Sequence, residues 1–274
     1  MRFRVSTVTV LISVVALLVA FGPVGTGVAA GSGSRAGEPS GTPTARHFRG
    51  TRTVGALFPP DSSVHTCTAS VVESTAGNVL VTAAHCISGT GDGYTFAPDY
   101  HDGIEPFGSW IVIGAYGAPQ WIDHRTPQLD VAFLVVAPRQ LNGHVEQIQD
   151  VTGSNSLAKA PVAGEQVTVP AYATGRDDEP ITCTTRVYYR GTFPAFNCNP
   201  YPDGTSGAPW LHRTSHGWTV VGVVGGLHQG GCYTWTSYSA AFGPVTLRTE
   251  TGAAAGTNAS TFPSPGRDGC SAGP

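Results

Sequence analysis

A serine flanked by glycines stands late in the chain, in Cys198-Asn199-Pro200-Tyr201-Pro202-Asp203-Gly204-Thr205-Ser206-Gly207-Ala208-Pro209-Trp210. Glycines on both sides of Ser206 permit a tight turn in which the hydroxyl stands clear of the backbone and neighbouring N–H groups converge on a reacting oxygen. A serine hydroxyl is a weak nucleophile near neutral pH. It needs a base within hydrogen-bond reach and a third group to orient that base. Both residue types occur upstream, at the ends of apolar runs: His85 after Val79-Leu80-Val81-Thr82-Ala83-Ala84, and Asp130 before Val131-Ala132-Phe133-Leu134-Val135-Val136. An aspartate at the mouth of so apolar a stretch is costly unless paired, and an imidazole N–H is a natural partner. A lone Gly-Thr-Ser-Gly segment is as often an ordinary solvated turn. The three residues together describe nucleophilic acyl transfer. Asp123-His124 is a rival pair, but it lacks the apolar strand that follows Asp130 and reads as a surface pair.

The segments Thr82-Ala83-Ala84-His85-Cys86, Leu129-Asp130-Val131-Ala132-Phe133-Leu134 and Gly204-Thr205-Ser206-Gly207-Ala208-Pro209 resemble the motifs of the trypsin/chymotrypsin-type serine proteases, as found in secreted bacterial members. The order His, Asp, Ser separates this resemblance from triads on other folds, and the G-x-S-x-G elbow fails at Ala208. The resemblance spans roughly residues 48 to 250. It implies an all-β fold of two six-stranded antiparallel Greek-key barrels with the active site in the cleft between them, closed by a short C-terminal helix. It further implies His85, Asp130 and Ser206 as the triad, and the backbone N–H groups of Gly204 and Ser206 as the oxyanion hole. Gly225, Gly226 and Leu227 would form the edge on which an extended peptide adds as a strand. Leu227, where glycine is common, would narrow that cleft.

At the position where trypsin-like members carry a basic-residue-binding acid, six before the serine, this chain has Pro200. Where members cleaving after Glu carry a histidine it has Val224, with His228 nearby as a candidate pocket residue. An apolar or small side chain before the scissile bond is the resulting expectation. Thr205 replaces the aspartate that receives a new N-terminus in the animal enzymes, so the faint activation-site likeness of Arg52-Thr53-Val54-Gly55-Ala56 does not carry that mechanism. The resemblance pairs Cys67 with Cys86. Cys183, Cys198, Cys232 and Cys270 allow three pairings. A bond across the hairpin, Cys183 to Cys198, with Cys232 to Cys270 tying down the tail, is favoured over the family-like Cys198 to Cys232.

The elements that must position these residues read as short apolar strands broken by Gly, Pro, Asp and Asn, such as 67–72, 110–113, 166–170, 181–189 and 217–224. A first barrel is expected over about 48–136 and a second over about 162–250, joined by a polar connection. A short helix is expected within Phe242 to Thr249, and an irregular tail over 251–274. Upstream, Arg2 and Arg4, an apolar run from Val10 to Phe21 and the ending Val28-Ala29-Ala30 read as a secretory signal peptide over 1–30. Residues 31–47, rich in Gly, Ser and Pro, read as a flexible leader or short propeptide.

Removing the signal leaves 13 basic against 18 acidic residues, with Lys159 the single lysine. That composition argues against nucleic acid as a partner. No membrane association after signal removal, no cofactor and no metal are expected, although Asp92, Asp99, Asp102 and Glu105 leave calcium an open question. The sequence thus predicts a secreted, extracellular, monomeric serine endopeptidase acting on proteins or peptides. An esterase with the same triad and a silent protease-fold binding protein are the alternatives.

Overall fold

Alternating and continuous apolar segments dominate the chain from Val54 onward, and in the computed structural model they form antiparallel ladders around buried side chains. The structure describes residues 37–141 and 143–270. The proposed signal peptide lies outside the described residues.

The strands are β1 (Arg46–His47), β2 (Val54–Phe58), β3 (Cys67–Val72), β4 (Val79–Thr82), β5 (Thr95–Pro98), β6 (Trp110–Gly117) and β7 (Ala132–Val136). A hairpin of β8 (Arg139–Leu141) and β9 (His144–Glu146) and a strand β10 (Ser156–Leu157) follow. They lead to β11 (Gln166–Ala171), β12 (Ile181–Arg186), β13 (Tyr188–Arg190), β14 (Phe193–Asn197), β15 (Pro209–Thr214), β16 (Gly217–Val223) and β17 (Thr236–Tyr238). The helices are short: α1 (Pro119–His124), α2 (Ile148–Thr152) and α3 (Pro244–Ala254). No described helix is long and apolar enough to cross a membrane.

Strands β2-β3-β4-β7-β6-β5 close into a barrel. Leu80, Phe96, Trp110 and Leu134 fill one of its buried clusters. The second half is a six-stranded sheet in the order β1-β12-β11-β15-β16-β10 and a three-stranded sheet β13-β14-β17. A further cluster runs from Val54, Val81 and Phe133 of the first half to Leu211, Val220 and Val223 of the second, and on to Phe242 and Ala253. This shared core sets the two halves against each other. A buried polar clamp adds to it: His65 and Gly175 exchange backbone hydrogen bonds of 3.1 and 3.3 Å, and His65 Nε2 lies 2.7 Å from Asp178 Oδ1.

Four sequence expectations change. Residues 38–47, read as flexible leader, run into the fold: β1 pairs Arg46 with Thr182 and His47 with Ile181, and Ala45 N–H donates to Asn199 O at 2.9 Å. Backbone pairing needs no apolar pattern, so Gly/Pro-rich composition hid it. The 137–161 connection is partly built into the second sheet, because β10 pairs in parallel with β16. The strand read over 181–189 breaks at Val187 into β12 and β13. The terminal helix continues to Ala254, and the tail beyond it is docked: Phe262 is buried beside Trp121 in the first-barrel core, a burial that contributes about 1.5–3 kcal/mol.

The disulfides formed are Cys67–Cys86, Cys183–Cys198 and Cys232–Cys270.

Candidate active site

Register explains how residues 45 positions apart meet. β4 and β7 pair antiparallel with Thr82 opposite Ala132, so the chain leaving β4 and the chain entering β7 lie at the same end of the ladder. His85 sits in a single helical turn just after β4, over Ala84–Cys86, and Asp130 caps another over Pro127–Leu129, two residues before β7. The Asp130 side chain is 2 % exposed. His85 N–H donates to its Oδ1 at 2.9 Å, His85 Nδ1 to its Oδ2 at 2.7 Å and Gly226 N–H to Oδ2 at 2.8 Å. Three N–H donors compensate a carboxylate that burial alone would penalise. The Nδ1 contact also fixes the imidazole tautomer and leaves Nε2 to face the cavity.

Ser206 arrives on the loop between β14 and β15. Its turn is braced from the other barrel: Thr68 N–H donates to Ser206 O at 2.8 Å, and Thr68 Oγ1 donates to Gly204 O at 3.2 Å. Gly207 N–H donates to Val224 O at 2.7 Å. The two flanking glycines are required by conformation and by space. Gly204 has φ 93° and Gly207 φ 81°. A Cβ on Gly204 would lie 2.0 Å from Thr174 N, and one on Gly207 2.1 Å from Thr82 Oγ1. Among the described residues neither the Gly204 nor the Ser206 N–H donates a hydrogen bond, so both are free for a ligand oxygen.

His85, Ser206 and Gly204 open on one cavity of about 390 Å³, shared with Thr174, Asp203 and His228. No hydrogen bond joins Ser206 Oγ to His85 Nε2 directly. Such contacts are often loose without substrate.

The other sequence-predicted site residues distribute unevenly. His228 lines the cavity, but Pro200 does not; it is exposed beside Asn199, whose N–H donates to Pro43 O at 2.9 Å. Gly225 packs against Asp130, where an added Cβ would lie 3.2 Å from its carbonyl and carboxylate oxygens. Leu227 does not continue an edge strand. Gly226 has φ 75°, ψ −121°, and Leu227–Gly230 forms a tight turn with His228 and Gln229 in left-handed conformation. Leu227 consequently packs with Phe193, Ala195 and Tyr238 instead of narrowing the cleft. Val224 is buried among Trp210 and Val221. Asp123 and His124 are exposed on α1. Thr205 is buried and donates to Pro202 O at 2.7 Å, in keeping with a turn that needs no buried ion pair.

Sequence reasoning missed Thr68. Its hydroxyl also accepts from Tyr172 N at 2.9 Å, and the only signal was a threonine in a strand whose other residues are apolar or small. It missed Thr174 and the tail residues Pro265 and Asp268 as well, all of which line the cavity. The acids of the 92–105 loop do not gather. Among the described residues the one group of metal-type side chains within 4.8 Å of one another is His228, Cys232 and Cys270, and the two cysteines are bonded to each other. In the segment that leads to Ser206, burial pushes the Tyr201 phenol far up, and its hydroxyl donates to Val169 O, so it stays neutral as a structural prop.

Comparison with solved structures places this fold. A protease, Anisep, from Arthrobacter nicotinovorans superposes with a TM-score of 0.66 at 23% identity, covering 77% of this chain and 100% of its own. A thermostable serine protease, AL20, from an extremophilic microorganism gives 0.63 at 20% identity over 75% and 98%. A Glu endopeptidase gives 0.59 at 15% identity over 78% and 98%. No protein-family model matches the sequence, and neither does any curated protein. The chain has the trypsin/chymotrypsin-type serine protease fold.

Proposed function

We propose that the protein is a secreted serine endopeptidase working through Ser206, His85 and Asp130. The observation that carries this reading is the buried Asp130–His85 pair opening, with Ser206, on one cavity beside two unused backbone N–H groups. Ser206 Oγ attacks the substrate carbonyl carbon while His85 Nε2 takes its proton, and the N–H groups of Gly204 and Ser206 receive the oxyanion. His85 then delivers the proton to the leaving amine, leaving an acyl-enzyme. Water attacks this ester with His85 again as base, releasing the acid and restoring Ser206. Asp130 holds the imidazole and stabilises its cation throughout. Three disulfides and the amino-terminal sequence favour an extracellular setting.

A fluorophosphonate probe tests the nucleophile. Wild type is expected to be labelled at Ser206, and Ser206→Ala to lose labelling and about 10⁴-fold or more of hydrolysis. Equal labelling of both would remove Ser206 from the role. Mass-spectrometric readout of a peptide library then distinguishes peptidase from esterase: turnover of ester substrates with no peptide cleaved would overturn the endopeptidase reading.

A further inference from the structure

Beyond α3 the described residues, as far as Cys270, stay docked on the molecule. Ser260 N–H donates to Ala115 O at 2.8 Å, and Gly89 and Phe262 exchange backbone bonds of 2.9 and 2.6 Å. Arg125 Nη2 then donates to Ser264 O at 2.9 Å. From there the segment turns to the catalytic cavity, which Pro265 and Asp268 line together with His85 and Ser206. Gln229 Nε2 donates to Gly266 O at 2.7 Å, His228 Nδ1 donates to Asp268 O at 3.0 Å, and Cys270 is bonded to Cys232.

These contacts stand where an extended substrate would run on. The edge after β16 is interrupted at once: Gly226 N–H is taken by Asp130, Leu227 turns into the core, and the next two side chains grip the tail. The cavity of about 390 Å³ lies toward the small end of the roughly 300–1,000 Å³ usual for small-ligand sites. We infer that the segment Pro265–Cys270, fastened by Cys232–Cys270, is a wall that ends the cleft beside Gly226 and makes the enzyme select substrates with few residues on the acyl side of the scissile bond. This rests on the hydrolase reading above. His228 and Gln229 act here as positioning residues for the wall, and they can grip it because both adopt a left-handed backbone.

Two variants release the wall: Cys232→Ser with Cys270→Ser, and a chain ending at Ser264 with Cys232→Ser, which keeps the Phe262 anchor. Each is compared with wild type on a ladder of fluorogenic peptides bearing one to five residues before the cleaved bond. The expected result is that kcat/KM for the four- and five-residue members rises about tenfold relative to the one-residue member. The rate of fluorophosphonate labelling is expected to stay within about twofold, since that probe makes no use of the extended cleft. An unchanged ladder ratio in both variants would overturn the inference. A readout independent of turnover is the modification of His228 by diethylpyrocarbonate, followed by mass spectrometry, which should accelerate several-fold once the tail is freed. If wild type takes no fluorophosphonate, the hydrolase reading fails, and the histidine readout still decides whether the tail walls the cavity: an unchanged His228 rate in both variants rejects it.

Discussion

The two halves of the molecule solve one positioning problem by different means. The first half is a closed ring of six strands, and a single ladder, β4 against β7, carries His85 and Asp130 to the same end. The second half presents Ser206 on a loop with no ladder of its own, braced by Thr68 from across the interface and by contacts to Val224. It also holds two of the three disulfides in whole or in part. His85 and Asp130 are thus brought together chiefly by one ladder, with the Gly226 N–H of the second half and the Cys67–Cys86 bond in support, whereas the turn that carries Ser206 stands outside regular structure and depends on props from elsewhere.

The disulfides break or sharpen that contrast most strongly. Cys67–Cys86 and Cys183–Cys198 close similar loops, with separations of 19 and 15 residues, so chain entropy assigns each about 3 kcal/mol. Urea unfolding of the paired serine variants should show the larger loss, about 3 kcal/mol or more, for Cys183/Cys198. An equal or larger loss for Cys67/Cys86 would contradict a ring held by its ladders. Thr68→Val comes next. It strands the Tyr172 N–H and the Gly204 carbonyl, costing about 1–3 kcal/mol, and, on the proposed mechanism, should lower kcat about tenfold by loosening the turn that carries Ser206. Thr68→Ser should restore both, and a Thr68→Val enzyme with wild-type kcat would mean that the brace is dispensable.

The smallest effect is expected at Asp99, on the rim of the ring after β5. Burial raises its carboxyl above the usual range, partly offset by His101 and Arg52. The native chain therefore keeps this proton to higher pH than the unfolded chain does, and ionisation opposes folding. Asp99→Asn should be slightly more stable than wild type at neutral pH, with the difference fading toward about pH 3 as the carboxyl protonates in both states. Asparagine tolerates the φ of 58° found there. Thermal scans across that range measure it.

What could be read from sequence was whatever local spacing dictates. Apolar runs gave the strands, and Gly204 and Gly207 marked a turn that no other residue fits. His85 and Asp130 stood out because each adjoins an apolar strand. The rest is written in contacts without a pattern. Residues 38–47 and 257–270 look structureless because they attach through backbone groups and single anchors, Ala45, Phe262 and Cys270. The break at Gly226 was invisible because the following turn uses His228 and Gln229 in a conformation that their identities do not announce. Thr68 acts across the interface, and only folding reveals which loop its hydroxyl meets.

The two-residue strand β1 has a consequence for solubility. Without it, β12 would be the outermost member of the six-stranded sheet, offering a row of unsatisfied amide and carbonyl groups to any passing extended chain. Arg46 and His47 cover part of that row, and both side chains are exposed. A chain lacking the residues up to 47 would uncover that row and invite edge-to-edge aggregation, so Arg46 and His47 keep the surface colloidally quiet.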